Sequence, residues 1–423
     1  MSREPAGFGL QSDGVPLPNP VTDRRNGNLF FYSFLLIFLA APVLYVGVVQ
    51  AALCDKLGAS ATVANLPASA YFFGNFAPIL FAWLVPHRLE RFVVVAANSF
   101  TAVLMALVAM ALLLPLDDSI RIGVVVGQGL LLGLAASLNQ VFIFQCLGRG
   151  TTEKGRARAL KLTFAVGPLA AVAGSLVAQL VLGGGIGALT YPRDFAFLYL
   201  VGVSCCGLVA WLGSKFELEP LAEESRPPLF SYLRESLRHY AASRALVFVW
   251  LAYLLWYSTL LAMPNLSLYT KEAVGRDPKD LSGLIMAIRF GSKAVAGYLL
   301  GALNIRYGVR APLIVVVLLL GTAMLWAWVA PGYFYLLAFG LMGAGELGGA
   351  YFPNVLLSLT LSANGARDMS ILNLAAPVAS PSPALHGLLT DHLGFPGSFA
   401  LGIATALAAL WLVCKLPTGR RIS

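Results

Sequence analysis

Twelve runs of about twenty apolar residues, set apart by turns or clustered charge, constrain this chain more than any other feature. They fall at approximately 29–53, 66–86, 93–115, 120–148, 160–182, 195–214, 245–269, 281–304, 310–330, 333–361, 369–390 and 396–415. A run of about 20 apolar residues is what crosses the hydrocarbon core of a bilayer as a helix. Composition leaves no other solvent for so much apolar surface. Only 12% of residues are charged and 58% are hydrophobic, whereas a soluble domain carries roughly 25% charged residues. Backbone groups in lipid must find partners within their own segment. The expected fold is therefore an all-α polytopic membrane protein with about twelve transmembrane helices.

The basic residues test this map. With the N-terminus on the cytoplasmic side, the cytoplasmic segments hold 21 of the 29 Lys and Arg residues and the opposite side holds 6. Arg289 and Lys293 alone remain, inside the eighth run. Cytoplasmic loops of membrane proteins carry this excess of positive charge. The net charge of +9 is thus a topology signal, helped by attraction to anionic lipid, and calls for no nucleic-acid partner. Short loops and a basic cytoplasmic face point to a multi-pass protein of a bacterial inner membrane, with both termini cytoplasmic.

Residues 1–28 are polar and rich in Pro and Gly and are expected to form a disordered cytoplasmic tail. The longest cytoplasmic connection, 215–244, separates a six-helix bundle at 29–214 from a second at 245–415, and 416–423 forms a second tail. The five cysteines show no metal-type or disulfide spacing and read as small hydrophobes.

The two halves echo one another. Ala70-Tyr71-Phe72-Phe73-Gly74-Asn75-Phe76-Ala77 aligns with Ala287-Ile288-Arg289-Phe290-Gly291-Ser292-Lys293-Ala294 at an offset of 217. Each follows a Gly-ending pair, Leu57-Gly58 and Val274-Gly275, and each leads to a short basic loop. Gly155-Arg156-Ala157-Arg158 and Gly365-Ala366-Arg367-Asp368 repeat the relation at an offset of 210. Duplicated halves of this kind place a binding site at their interface near mid-membrane.

These features resemble the major facilitator superfamily over nearly the whole chain after residue 28. Its loop signature, Gly-x-Leu-x-Asp-Arg-x-Gly-Arg-Lys, is similar to Gly301-Ala302-Leu303-Asn304-Ile305-Arg306-Tyr307-Gly308-Val309-Arg310. Gly301, Arg306, Gly308 and Arg310 match, while Ile305 replaces the Asp. The first copy, Trp83 to Phe92, keeps Arg88 and Arg91 only, with His87 in place of the Asp. Gly167-Pro168 in the fifth run resembles a fragment of the proton-antiporter motif. The resemblance implies alternating access in a monomer, with the loop steadying one conformational state; the missing Asp puts a charge-relay latch in doubt. Physically, the Gly positions permit close helix approach, and the Arg side chains can hold helix C-terminal carbonyls.

Three charged residues lie well inside the runs: Arg289, Lys293 and Glu346. A charge at mid-bilayer costs about 2.5–3.5 kcal/mol, so such residues face a partner or a cavity. Arg289 and Lys293 stand four apart and share a helix face. Lys293 lies about 18 Å below residue 281 and Glu346 about 20 Å below residue 333, at a rise of 1.5 Å per residue. The expectation is a Lys293–Glu346 pair, from which an anionic substrate takes over Lys293 or Arg289 and frees Glu346 for protonation. The alternative is a permanent ion pair that pins two helices. Tyr253, Trp256 and Tyr257 offer aromatic surface for a ligand or for packing. Asn75, Asn139 and Gln140 are further pocket candidates, each equally suited to an interhelical hydrogen bond.

Three function classes remain. A secondary transporter of a small organic solute fits best, with an organic anion as the expected substrate and protons as the expected coupling ion. No Walker sequence supplies ATP drive. A membrane enzyme lacks a histidine cluster or His-Glu-x-x-His on which to build, and no cofactor is implied. A transporter-derived sensor without net flux is the third, and a sugar or drug substrate remains open.

Overall fold

The computed structural model describes residues 19–45, 47–76, 89–218, 229–359 and 365–416. Among them every regular element is helical. In order these are α1 (Pro20–Leu39), α2 (Ala41–Leu44), α3 (Val48–Lys56), α4 (Ala61–Gly74), α5 (Glu90–Leu113), α6 (Asp118–Gly150), α7 (Glu153–Leu182) and α8 (Arg193–Gly213). There follow α9 (Leu229–Ala242), α10 (Arg244–Leu260), α11 (Met263–Val274), α12 (Pro278–Tyr307), α13 (Arg310–Val329), α14 (Leu337–Gly345) and α15 (Gly348–Leu359). The chain closes with α16 (Gly365–Asn373), α17 (Ala375–Val378), α18 (Ser382–Leu393) and α19 (Phe395–Lys415).

Helix starts follow local chemistry. The side chains of Asn19, Ser60, Thr152, Ser243 and Asp277 each accept from a backbone N–H of the first turn, which satisfies a donor that no helix can satisfy internally. One boundary differs from the sequence reading: α1 begins at Pro20, so 20–28 is helical rather than tail. Asn26 explains this. It is fully buried, donates to the carbonyls of Gly150 and Glu217 and accepts from the Glu217 N–H. Within the 215–244 connection, α9 is likewise an ordered helix.

Among the described residues, eight helical stretches are each long and apolar enough to cross a membrane. They correspond to the third to ninth runs and the twelfth. Three of the other four runs are broken into shorter helices. The first breaks at Pro42 and Gly47, the tenth at the glycines before Gly348, and the eleventh at Pro377 and Pro381. Proline removes a donor and clashes with the preceding turn. The second run begins with α4 and continues outside the described residues.

Helices α1–α8 pack on one another, with α5 against α6 and α8, α4 against α6, and α1 against α7. Helices α10–α19 form a second set, in which α19 packs on α10 and α13, and α14 on α12 and α13. The sets meet along a seam where α12 runs beside α7 and α18 beside α4, with α11 against α3.

Polar bonds across this seam gather at one end. Lys56 Nζ lies 3.0 Å from Asp277, and Lys279 Nζ lies 3.3 Å from Asp194. The Asp391 carboxylate accepts from the N–H groups of Ala61 and Thr62 at 3.0 Å. Gln179 accepts from the Leu284 N–H at 2.8 Å and donates to the Asp280 carbonyl. At the opposite end the Thr152 N–H donates to Asp23, Asn26 donates to the Gly150 carbonyl, Arg149 pairs with Glu90, and Arg310 donates to the Cys414 carbonyl, each bond joining residues of one set.

Candidate functional site

Helix α12 is packed hard near its start and loosely after its middle. Ile285, Met286 and Phe290 are fully buried, whereas Gly291, Gly297 and Gly301 face open space. Arg289 and Lys293 stand at this transition, one turn apart.

Their partner comes from α14. A Cβ at position 343 would lie 2.1 Å from the Arg289 carbonyl oxygen, so Gly343 is what lets α14 approach α12 so closely. The helix stops at Gly345, and Glu346 sits at the break before α15. One carboxylate oxygen of Glu346 accepts from Arg289 Nε, and the other accepts from Lys293 Nζ at 3.0 Å. Arg289 and Glu346 are each 8% exposed, while the Lys293 side chain is 24% exposed. A buried charge demands a partner; here one carboxylate answers two cations, leaving the cluster with a net positive charge. Lys293 keeps contact with open space.

Aromatic rings surround this cluster. The Arg289 guanidinium lies 5.6 Å from the Phe290 ring centre and 6.0 Å from that of Tyr45. The Lys293 ammonium is 6.0 Å from the Phe290 ring. These are cation–π distances. Tyr45 belongs to the first set of helices, so the site spans the seam. Sequence reading missed Tyr45, because the chain break that presents it has no charge to mark it.

The other anticipated site residues divide. Trp256 is 2% exposed, and its indole N–H donates to the Gly345 carbonyl at 3.1 Å. That bond satisfies a carbonyl freed by the break, and the ring has no face left for a ligand. Trp256 thus braces the break, the packing role its sequence position allowed. Tyr253 is buried and stacks on Trp256 at 5.4 Å. Its hydroxyl meets that of half-buried Tyr257 at 3.3 Å, and Tyr257 in turn approaches Phe72 of α4 at 6.0 Å. Asn139 is buried and accepts from Asn98 at 2.7 Å, which ties α6 to α5. Gln140 is exposed and Asn75 half-buried at the end of α4. None of these three joins the charged cluster.

The loop residues are placed as follows. Gly308 ends α12 at φ +81°, a conformation that only Gly adopts freely. Arg310 donates to the Cys414 carbonyl near the end of α19, the helix-end contact expected of such an arginine. Arg306 is exposed and lies over the Tyr307 ring at 5.2 Å. Arg91 donates to the Phe216 carbonyl at 3.3 Å. Arg88 lies outside the described residues. The carboxylate missing at position 87 is replaced three residues on: fully buried Glu90 holds Arg149 at 2.6 Å, clamping the start of α5 to the end of α6.

No family model and no curated protein matches the sequence. Solved structures do. The chain is similar to a nucleoside transporter, NupG, at TM-score 0.65 and 12% identity, covering 95% of this chain and 100% of that one. It is similar to a POT family transporter in complex with 5-aminolevulinic acid at TM-score 0.64 and 14% identity, covering 94% and 97%. A peptide transporter POT in complex with sulfate gives TM-score 0.64 and 15% identity, covering 95% of each chain. The chain has the major facilitator superfamily fold.

Proposed function

We propose that this chain is a secondary transporter, not an enzyme, that moves a small organic anion by alternating access. In this reading twelve spans form two six-helix bundles, 29–214 and 245–415, acting as a monomer. The observation that carries it is the buried cluster of Arg289, Lys293 and Glu346 at a helix break on the seam. Two cations share one carboxylate there, and Lys293 remains open to the side where α12 is loosely packed. An incoming carboxylate or phosphate can take over a cation, and Glu346, released, can accept a proton. Binding and protonation are thereby coupled at one residue. The fold itself accommodates varied solutes, as the nucleoside and peptide transporters of similar structure illustrate; selection here rests on this chain's own charges.

In this reading the protein lies in a bacterial inner membrane with both termini and the end bearing Arg91, Arg149 and Arg310 on the cytoplasmic side, where positive loops are retained. The fastened end of the seam then faces outward, which supports reading this arrangement as the state open to the cytoplasm.

The test is the melting temperature of the purified protein against a panel of organic anions, sugars and amphipathic drugs, for wild type and Lys293→Ala. A ligand that binds the folded state raises it by mass action. Anions are expected to stabilise wild type and to lose that effect in the variant. Stabilisation by neutral compounds alone, or anion effects that persist in Lys293→Ala, would reject the reading.

A further inference from the structure

The first helix of each set breaks at the same short sequence. Leu39-Ala40-Ala41-Pro42-Val43-Leu44 matches Leu261-Ala262-Met263-Pro264-Asn265-Leu266 at four of six positions. In both, the proline opens a new helix, α2 or α11. The copies then diverge. Ten residues separate Pro264 from Gly275, and they form the continuous helix α11. Fifteen separate Pro42 from Gly58. The surplus of five equals about 7.5 Å of helix at 1.5 Å per residue.

The structure absorbs this surplus by interrupting the helix. Helix α2 stops at Leu44, Tyr45 is extended, Gly47 has φ +141°, and α3 starts at Val48. A broken helix inside a membrane frees backbone groups that must find partners. Gln50, fully buried, supplies them: its Oε1 accepts from the Gly47 N–H at 3.2 Å and its Nε2 donates to the Val43 carbonyl at 2.8 Å. The interruption is thus braced, and what it presents is Tyr45. The half-buried Tyr45 ring stands 5.3 Å edge-on to Phe290 and 6.3 Å from Phe38 in a near-parallel stack. The Arg289 guanidinium lies beside it.

We propose that the interruption at Tyr45, braced by Gln50, is the substrate-selecting wall of the site and takes the ring of an aromatic carboxylate whose charge is held by Arg289 and Lys293. This rests on the organic-anion reading above and narrows it. The carboxylate replaces Glu346 on a cation, and the attached ring lies against Tyr45. Acids without a ring keep the charge contact and lose the second one. The second half, lacking the surplus residues, has no equivalent wall, so selection comes from the first half and charge from the second.

Calorimetric titration of the full-length protein with sodium benzoate and sodium acetate tests this. Wild type is expected to bind benzoate about tenfold more tightly than acetate, the order that burying one ring against another supports. Tyr45→Ala should bring the ratio to about one with acetate affinity kept, and Tyr45→Phe should restore it. Tyr45→Leu keeps the bulk and serves if Tyr45→Ala does not fold. Lys293→Ala should weaken both acids together. Equal binding of the two acids by wild type, or a ratio unchanged in Tyr45→Ala and Tyr45→Leu, overturns the selecting wall and leaves the anion reading standing. Binding of neither acid, or binding indifferent to Lys293→Ala, overturns both.

Discussion

Glu90 and Glu346 are both buried carboxylates, yet they answer different demands. Glu90 faces Arg149 at the end of a helix pair. Removing one partner of a buried pair strands the other, at a cost of about 3–5 kcal/mol. Glu90→Ala should therefore lower the melting temperature strongly without altering the ligand's specificity; a neutral effect on stability would show that the pair holds nothing. Asp391 is an exposed case. Burial is the largest single influence and raises its pKa, but hydrogen bonds from the Thr62 hydroxyl, the Thr62 and Ala61 N–H groups and the Ser60 side chain together outweigh it and hold the carboxyl below its ordinary value. A lowered native pKa favours the folded, seam-closed state at pH above the ordinary carboxylate range, and this support is lost as pH falls through the native value. The melting-temperature gap between wild type and Asp391→Asn should be widest at neutral pH and shrink on acidification. A gap constant across that range would contradict the assigned bonds.

At the scale of elements, helix breaks decide where chemistry sits. Glu346 lies at the break between α14 and α15, and Tyr45 at the break between α2 and α3, each beside Arg289. Gly343→Ala should push α14 off α12 and cost about 1–3 kcal/mol, the range for overpacking; thermal unfolding measures it, and an unchanged midpoint would mean that the backbone yields freely. Much of this was legible in the sequence. Hydropathy marked the spans, and helical rise placed Lys293 and Glu346 at similar depth. Prolines and glycines flagged the breaks in the tenth and eleventh runs. The break at Tyr45 escaped notice because Pro42 and Gly47, which bound it, carry no charge, and the length difference between repeats shows only when the two copies are aligned. Trp256 stayed open between ligand and packing in the sequence for a related reason: an aromatic side chain beside a break reads alike whether it stacks on a ligand or caps a freed carbonyl.

For the whole molecule, the proposed alternating access makes the seam the moving part. Its polar bonds gather at the end carrying Lys56, Asp277 and Asp391, where Asp277, hydrogen-bonded to Lys56, raises the lysine's pKa above its usual value. Asn65 of α4 and Asn265 of α11 meet within that closed end at 3.3 Å. Cysteines at 65 and 265, joined by a short thiol cross-linker in a background without the native cysteines, should stop net transport and leave ligand binding from the cytoplasmic side intact. Transport continuing in the cross-linked protein would show that this end does not open. The repeats of the sequence suggest a two-half plan, but which end is fastened depends on side-chain meetings between distant segments, such as Gln179 with Leu284, that no local pattern encodes.

The most direct test of the account is uptake into proteoliposomes under an imposed pH gradient, for wild type and Glu346→Gln, using an anion that stabilises the wild-type protein. Wild type should accumulate the anion against its gradient when the proton gradient is present. Glu346→Gln should still exchange the anion between the two sides but fail to concentrate it. Accumulation by Glu346→Gln equal to wild type, with the same pH dependence, would contradict proton coupling at the buried cluster.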